Sequence, residues 1–172
     1  METTRASGLT IRDAEERDRE AVWQIFRATI ALGDGFVHDP ATPREEAMAS
    51  WFAKGVQTYV AERNGKIRGS YILRPNQPGL GDHVSNAGFM VDPAARGSGV
   101  GRAMAEHSLS EARRLGFRAM QFNFVVSTNE PAVHLWQALG FKIVGTLPRV
   151  FRHPEKGFVD AFVMFRSLEN EA

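Results

Sequence analysis

Apolar and polar residues recur along this chain in two periods, and the switches between them predict an ordered series of elements. Leu9-Thr10-Ile11-Arg12 alternates as a short strand, and Glu15 to Ile30 carries Ala21, Val22, Ile25, Phe26 and Thr29 at the spacing of one helical face. Gly33, Gly35, Pro40 and Pro43 break the pattern before a second helix over Arg44 to Lys54. Thr58–Glu62 and Ile67–Leu73 alternate as strands around Asn64-Gly65, a strong hairpin turn. Pro75, Pro78, Gly79 and Gly81 then make a loop into a strand over His83–Val91. Val100, Met104, Ala105, Leu109, Ala112 and Leu115 return to helical spacing until Gly116 ends the helix. Ala119–Val126 is a buried strand, Asn129–Leu139 a helix, and Phe141–Leu147 with Gly157–Ser167 a closing hairpin. The order is that of an α/β protein. If the strands at 83–91 and 119–126 are neighbours, the helix between them makes them a parallel pair.

The chemistry-bearing stretch is Val91-Asp92-Pro93-Ala94-Ala95-Arg96-Gly97-Ser98-Gly99-Val100-Gly101-Arg102, which runs from a strand end through a glycine-spaced turn into the long helix. At a helix N-terminus the first backbone N–H groups lack intrahelical partners and the macrodipole is positive, so the turn suits a pyrophosphate. Gly97, Gly99 and Gly101 remove side chains that would hold phosphate away, while Arg96 and Arg102 flank the turn. The spacing is not the G-x-G-x-x-G of a dinucleotide fold, and no Gly-Lys-Ser/Thr follows as in a P-loop. Arg113, Arg114 and Arg118 also cluster around the turn and its helix and suit a solvated face as well as a ligand.

Composition narrows the field. A chain of 172 residues suits one domain, expected over 9–167 with tails at 1–8 and 168–172. A net charge of +1 gives no global field to attract nucleic acid or an anionic membrane. No apolar h-region follows Met1-Glu2-Thr3-Thr4-Arg5 and no apolar run reaches ~18 residues, so a soluble protein is expected, with the cytoplasm as its compartment. With no cysteine, acyl transfer through a protein thioester is excluded. His38, His83, His107, His134 and His153 show no ligand spacing, so no metal is expected; His107 and His134 are expected on helix surfaces, and His38 and His83 at loops.

A second motif, Asn129-Glu130-Pro131-Ala132-Val133-His134-Leu135-Trp136-Gln137-Ala138-Leu139-Gly140-Phe141, follows one helix and one strand later. Asn129 is a suitable N-cap, Pro131 suits the first turn, and Ala132, Leu135, Trp136 and Leu139 form an apolar stripe. Together, Arg96-x-x-Gly99-x-Gly101 and this segment resemble the two motifs of the GNAT superfamily of N-acetyltransferases, in the family's order, over roughly residues 9–167. The resemblance implies a mixed, mostly antiparallel sheet flanked by helices, with a parallel central strand pair splayed for acetyl-CoA, and direct acetyl transfer to an amine. It assigns the cofactor to Met90, Val91, Arg96, Gly97, Ser98, Gly99, Val100, Gly101, Arg102 and Asn129. Among these, the Met90 and Val91 backbone polarises the thioester carbonyl and Asn129 touches the pantetheine arm.

Two departures matter. Many family members have a tyrosine acid where this chain has Trp136, whose indole N–H is not usefully acidic, so Trp136 is read as packing. Thiolate is a tolerable leaving group without that acid. At pH 7 only about one in 2,500 lysine-like amines is neutral, which calls for a base or a lowered amine pKa. Where some members place a central-strand glutamate, this chain has Ser85 and Asn86. Alternation puts Asn86, Gly88 and Met90 on one face of their strand, and Gln121, Asn123 and Val125 on one face of the next. Asn86, Phe122-Asn123-Phe124-Val125 through Asn129, and Leu147-Pro148-Arg149 are similar to the fungal azetidine-2-carboxylate N-acetyltransferases. That likeness implies that Asn86 and Asn123 position a small imino acid, with a water relay or His83 removing its proton; backbone-bonded core asparagines are the alternative. Arg149, Arg152 and His153 meet a substrate carboxylate or face water. A protein or peptide acetyltransferase and a low-turnover acyl-CoA sensor are the rival functions, and a homodimer is the assembly to test.

Overall fold

A computed structural model describes residues 8–169 and the backbone of a short strand at 3–5. Its elements are β1 (Thr3–Arg5), β2 (Leu9–Asp13), α1 (Arg19–Ile30), α2 (Arg44–Trp51), β3 (Gln57–Arg63), β4 (Lys66–Pro75), β5 (Val84–Val91), α3 (Val100–Arg114), β6 (Ala119–Val126), α4 (Glu130–Ala138), β7 (Lys142–His153) and β8 (Gly157–Ser167). The strands form one sheet in the order β1-β2-β3-β4-β5-β6-β8-β7, antiparallel throughout except for the parallel β5–β6 pair.

Period-2 alternation sends the two sides of each central strand into different cores. Val60 and Ile72 meet Val22, Phe26 and Ile30 of α1 and Met48 and Trp51 of α2. Their neighbours Tyr59, Ala61, Tyr71 and Leu73 meet Val100, Met104 and Leu109 of α3 on the opposite face, where Val133 and Trp136 of α4 extend the cluster. Burial of a Phe-sized side chain stabilises by roughly 1.5–3 kcal/mol, so either layer far outweighs the surface ion pairs.

The structure departs from the pattern-based boundaries for local reasons. The first helix opens as a 3-10 turn at Glu16–Asp18, because the Asp18 carboxylate accepts the Glu15 N–H at 2.8 Å and is gripped by Arg12 at 2.7 and 3.0 Å. α2 stops at Trp51, short of Lys54. β7 runs past Leu147 because Pro148-Arg149-Val150 is absorbed as a bulge: Arg149 takes a φ of 55° and its N–H donates to Asp160 Oδ1 at 2.8 Å. Leu168, placed in the C-terminal tail by its pattern, is 5 % exposed in the core, and the sheet already begins at β1; the rest of both expected tails, 1–2, 6–7 and 170–172, lies outside the described residues.

The feature that makes a site is the brevity of the parallel pairing. β5 and β6 are in register only at Val84–Ala119 and Ser85–Met120. Beyond that, β6 carries a bulge between Phe122 and Val125 against β8, and the two strands part.

Candidate active site

The gap between β5 and β6 exposes one strand edge of β5. Along a strand, successive N–H and C=O pairs point to opposite neighbours. The His83 carbonyl accepts from Arg118 N at 2.9 Å, toward β6, and the Val84 carbonyl accepts from Asn76 N at 2.8 Å, toward β4. Through the unbroken β4–β5 register, Phe89 and Val91 therefore aim their backbone groups into the gap, whereas Met90 is committed to Ser70 on β4. The expectation that Met90 and Val91 both offer backbone donors is corrected: Val91 does, and its partner along the edge is Phe89. The Met90 side chain is 1 % exposed on the α1–α2 side.

At the C-terminal end of β5 the chain turns into the predicted cradle. Asp92 Oδ1 accepts from Ala94 N at 3.0 Å, closing a short 3-10 turn at Pro93–Ala95. Gly97 and Gly99 follow at φ of 76° and 84°, in the left-handed region, and a Cβ on either would meet nothing within 4 Å. They are glycines for conformation, and the space over the turn is open. The first intrahelical bond of α3 runs from Ala103 N to Gly99 O at 3.0 Å, so the Val100, Gly101 and Arg102 N–H groups precede it at the positive end of the dipole.

A cavity of about 590 Å³ lies over this turn, lined by Arg96, Gly97, Gly99, Gly101 and Arg102, with Asn129 and Leu135 on the far wall. Two predicted cofactor residues contribute no side chain to it. Val100 is 1 % exposed in the core and offers only its backbone, and the Ser98 hydroxyl donates to the Ala95 carbonyl at 2.6 Å. Arg96 is 3.9 Å from Asp34, and Arg102 lies 3.0 Å from Glu106 one turn on.

A second cavity of about 310 Å³ lies between the parting strands, lined by Asn86, Asn123, Arg74, Phe36, Val37 and Trp136 among others. Asn86 and Asn123 are thus brought together. Asn86 Nδ2 donates to the Gln121 carbonyl at 2.9 Å, bridging the strands where their ladder ends. Asn123 is exposed; its Oδ1 accepts from Gln121 Nε2 at 2.9 Å and its Nδ2 donates to Asn76 Oδ1 at 2.7 Å. Val125, expected beside Asn123, lines the same cavity and also packs into the α3–α4 core beyond the bulge. His83 is exposed before the start of β5 and is absent from the lining of either cavity, so it is not brought to the asparagines.

The two cavities meet at Gly35, Phe36, Phe89, Asn129 and Ala132. Asn129 caps α4, its Oδ1 accepting from Ala132 N at 3.4 Å, so capping and a place at the junction coexist in one residue. Phe36, Phe89 and Arg74 were not singled out by sequence reasoning. Arg74 was findable once β4 and β5 were paired, for it is the register partner of Asn86.

Trp136 packs against Phe122 at 4.5 Å and Phe89 at 5.0 Å between ring centroids. Neither tyrosine lines these cavities. Tyr59 donates to Glu111 Oε2 at 3.1 Å, and burial followed by the Glu111 charge pushes its phenol up to about 12. Tyr71 lies 2.7 Å from His107 Nδ1, with burial raising the phenol well above its usual range. His107 is therefore half-buried, packed over two buried tyrosine rings and not a fully solvated surface residue, and partial burial lowers its pKa. His38 stands edge-on to Phe26 at 5.1 Å outside both linings, its Nδ1 buried without a hydrogen-bond partner. Among the described residues no group of acidic or histidine side chains could hold a metal, and no helix is long and apolar enough to cross a membrane.

The family model for the Acetyltransferase (GNAT) family matches residues 19–141 of this chain. The chain belongs to the GNAT acetyltransferase family. It is 38% identical over 108 residues to N-acetyltransferase aca1 of Schizosaccharomyces pombe, a match covering 60% of this chain and 52% of that protein. It is 28% identical over 153 residues to the L-methionine sulfoximine/L-methionine sulfone acetyltransferase of Salmonella typhimurium, covering 83% of this chain and 85% of that one. The structure of a GCN5-related N-acetyltransferase from Kribbella flavida superposes with a TM-score of 0.88 at 44% identity, covering 93% of this chain and 98% of that one.

GNAT enzymes use acetyl-CoA, and a solved relative is described with it as cofactor. The residues of this GNAT chain fit that molecule. The open left-handed turn and its free N–H groups suit a pyrophosphate, and the unpaired edge at Phe89 and Val91 suits the amides of a pantetheine arm.

Proposed function

We propose that this protein transfers the acetyl group of acetyl-CoA directly to the nitrogen of a small amino acid or imino acid. The observation that carries this reading is the meeting of a glycine-turn cavity and a small polar cavity at Asn129, Phe89 and Phe36. When bound, acetyl-CoA supplies an activated acyl carbon. The turn at Arg96, Gly97, Gly99, Gly101 and Arg102 holds the pyrophosphate, and Asn129 orients the arm from the junction. The Val91 N–H is offered to the acyl oxygen, where a preorganised donor is most effective.

Asn86 and Asn123 hydrogen-bond the acceptor, and Arg74 meets its carboxylate. Asparagine is no base, and no histidine lines this cavity, so the amine proton leaves through water at the cavity mouth. A cavity of about 310 Å³ walled by Phe36 and Val37 favours a free amino acid over a polypeptide. The names of two relatives agree: one acts on L-methionine sulfoximine and L-methionine sulfone, and another, from Escherichia coli, is an L-amino acid N-acyltransferase. A cytoplasmic site of action is part of the same reading, as is a homodimer, which the exposed Val144, Val150 and Phe158 of the β7–β8 hairpin support.

CoA release measured over amino acids, imino acids, polyamines and N-terminal peptides tests the proposal. Turnover is expected for amino or imino acids. Preference for a peptide establishes the protein-modifying alternative, and tight acetyl-CoA binding without accelerated release establishes a sensor.

A further inference from the structure

The glycine turn is held from behind by the β3–β4 hairpin, and two arginines of that hairpin reach its two ends. The β3–β4 register slips between Ala61 and Glu62, pairing Ala61 with Gly69 but Glu62 with Ile67, so Arg68 is the extra residue of a bulge. Bulges re-aim side chains. Here the Arg68 carbonyl accepts the Asp92 N–H at 2.8 Å and its guanidinium lies 2.9 Å from Asp92 Oδ2, while Asp92 Oδ1 holds Ala94 N. Next to the bulge Gly69 lets α3 approach: a Cβ there would stand 2.7 Å from Met104 Cε and 2.9 Å from the Met90 carbonyl. Arg68 thus fixes the entry to the turn.

The exit is reached by Arg63, the last residue of β3, whose Nη2 donates to the Ser98 carbonyl at 3.4 Å between the two left-handed glycines. Its Nε is buried with no hydrogen-bond partner. Among the described residues no carboxylate pairs with the half-buried Arg63, whereas Asp92 neutralises Arg68. Arg63 therefore leaves positive charge directly behind the turn that is to receive two phosphates.

We infer that Arg63 and Arg68 are positioning residues for the nucleotide half of acetyl-CoA: Arg68 orders the turn through Asp92, and Arg63 orders it through Ser98 and attracts the pyrophosphate. This rests on the reading of the turn as a pyrophosphate cradle. The role concerns only the part of the donor beyond the pantetheine arm, which makes it separable from a general structural one.

The test compares acetyl-CoA with S-acetylpantetheine, which has the thioester and arm but no pyrophosphate, in steady-state assays on the whole chain, with thermal melts in parallel. Arg63→Ala is expected to raise KM for acetyl-CoA by about 10-fold with kcat unchanged and to leave kcat/KM for S-acetylpantetheine at the wild-type level. Arg63→Lys, which keeps the charge, should recover most of the loss. Arg68→Ala and Asp92→Ala should each raise the same KM by about 3- to 10-fold, and the double variant no further, because they act as one unit. Equal losses with both thioesters, a fall in kcat at unchanged KM, or additive Arg68 and Asp92 effects overturn the inference. A wild-type protein that shows no preference for acetyl-CoA over S-acetylpantetheine overturns the cradle reading beneath it.

Discussion

The two ends of the β5–β6 gap are built on different principles. At the end proposed for the nucleotide, the groups on offer are main-chain N–H donors of consecutive residues, fixed by Gly97, Gly99 and the first turn of α3. At the acceptor end they are side chains from β4, β5 and β6 and from the loop before α2, gathered by pairing and a bulge. The difference teaches where tolerance lies. A backbone cradle is lost when one residue changes the conformation, whereas a side-chain pocket loses one contact at a time and can be re-cut for another acceptor.

The largest effect that would sharpen this contrast is expected at Gly99. A non-glycine residue at its φ of 84° costs roughly 1–2 kcal/mol. A glutamate there also places negative charge over the donors. Gly99→Glu should abolish acetyl-CoA binding in calorimetry while the circular dichroism spectrum stays native; unchanged affinity would sink the cradle.

Next comes the acceptor end. Asn86→Ala should lower kcat/KM for the amine by about 10- to 100-fold, with acetyl-CoA affinity held within a few-fold, as for the loss of a partly buried hydrogen bond. Because Asn86 also bridges to Gln121, its melting temperature should fall. Asn123→Ala, at an exposed position, should show the kinetic loss without the thermal one. If both variants keep full specific activity, the asparagines serve only the strands.

A smaller effect is expected at Trp136, wedged among Phe89, Phe122 and Phe141 at the wall of the smaller cavity. Trp136→Phe should lose about 1–3 kcal/mol of stability in denaturant melts and remain active. A 1,000-fold fall in kcat in folded protein, about 4 kcal/mol, would reveal a chemical role for the indole.

The smallest effect lies away from the site. Burial holds His107 below its ordinary value of 6.5, with Glu111 opposing. The unfolded chain then binds the proton more readily, so stability is full above about pH 6.5 and falls as pH drops below it. His107→Gln should flatten the melting temperature between pH 7 and pH 5, leaving the slope that His38, also lowered by burial, contributes. An unchanged profile would remove His107 from the acid response.

Much of this was legible in the residues because it is local. The strands and helices follow from periodicity, and the cradle follows from glycine spacing at a helix start, since hydrogen bonds between near neighbours need no distant partner. The asparagine pair was half legible: alternation placed Asn86 and Asn123 beside a common space, but not the bridge from Asn86 to the Gln121 carbonyl or the exposure of Asn123.

What the sequence determined by itself, then, is the order of elements, the apolar faces and the position of a glycine turn at a helix start, all set by contacts within a few residues. Only the tertiary structure decided that Met90 faces β4 while Phe89 and Val91 face the gap, because an edge group's direction depends on which strand takes its neighbour. It alone decided that His83 stands apart, that His107 packs half-buried against two tyrosines, and that Arg74 joins the asparagines. The bulges at Arg68 and after Phe122 belong to the same class. A single unpaired residue shifts every side chain beyond it to the other face, and nothing in the one-dimensional pattern of a strand records where its partner runs out of register.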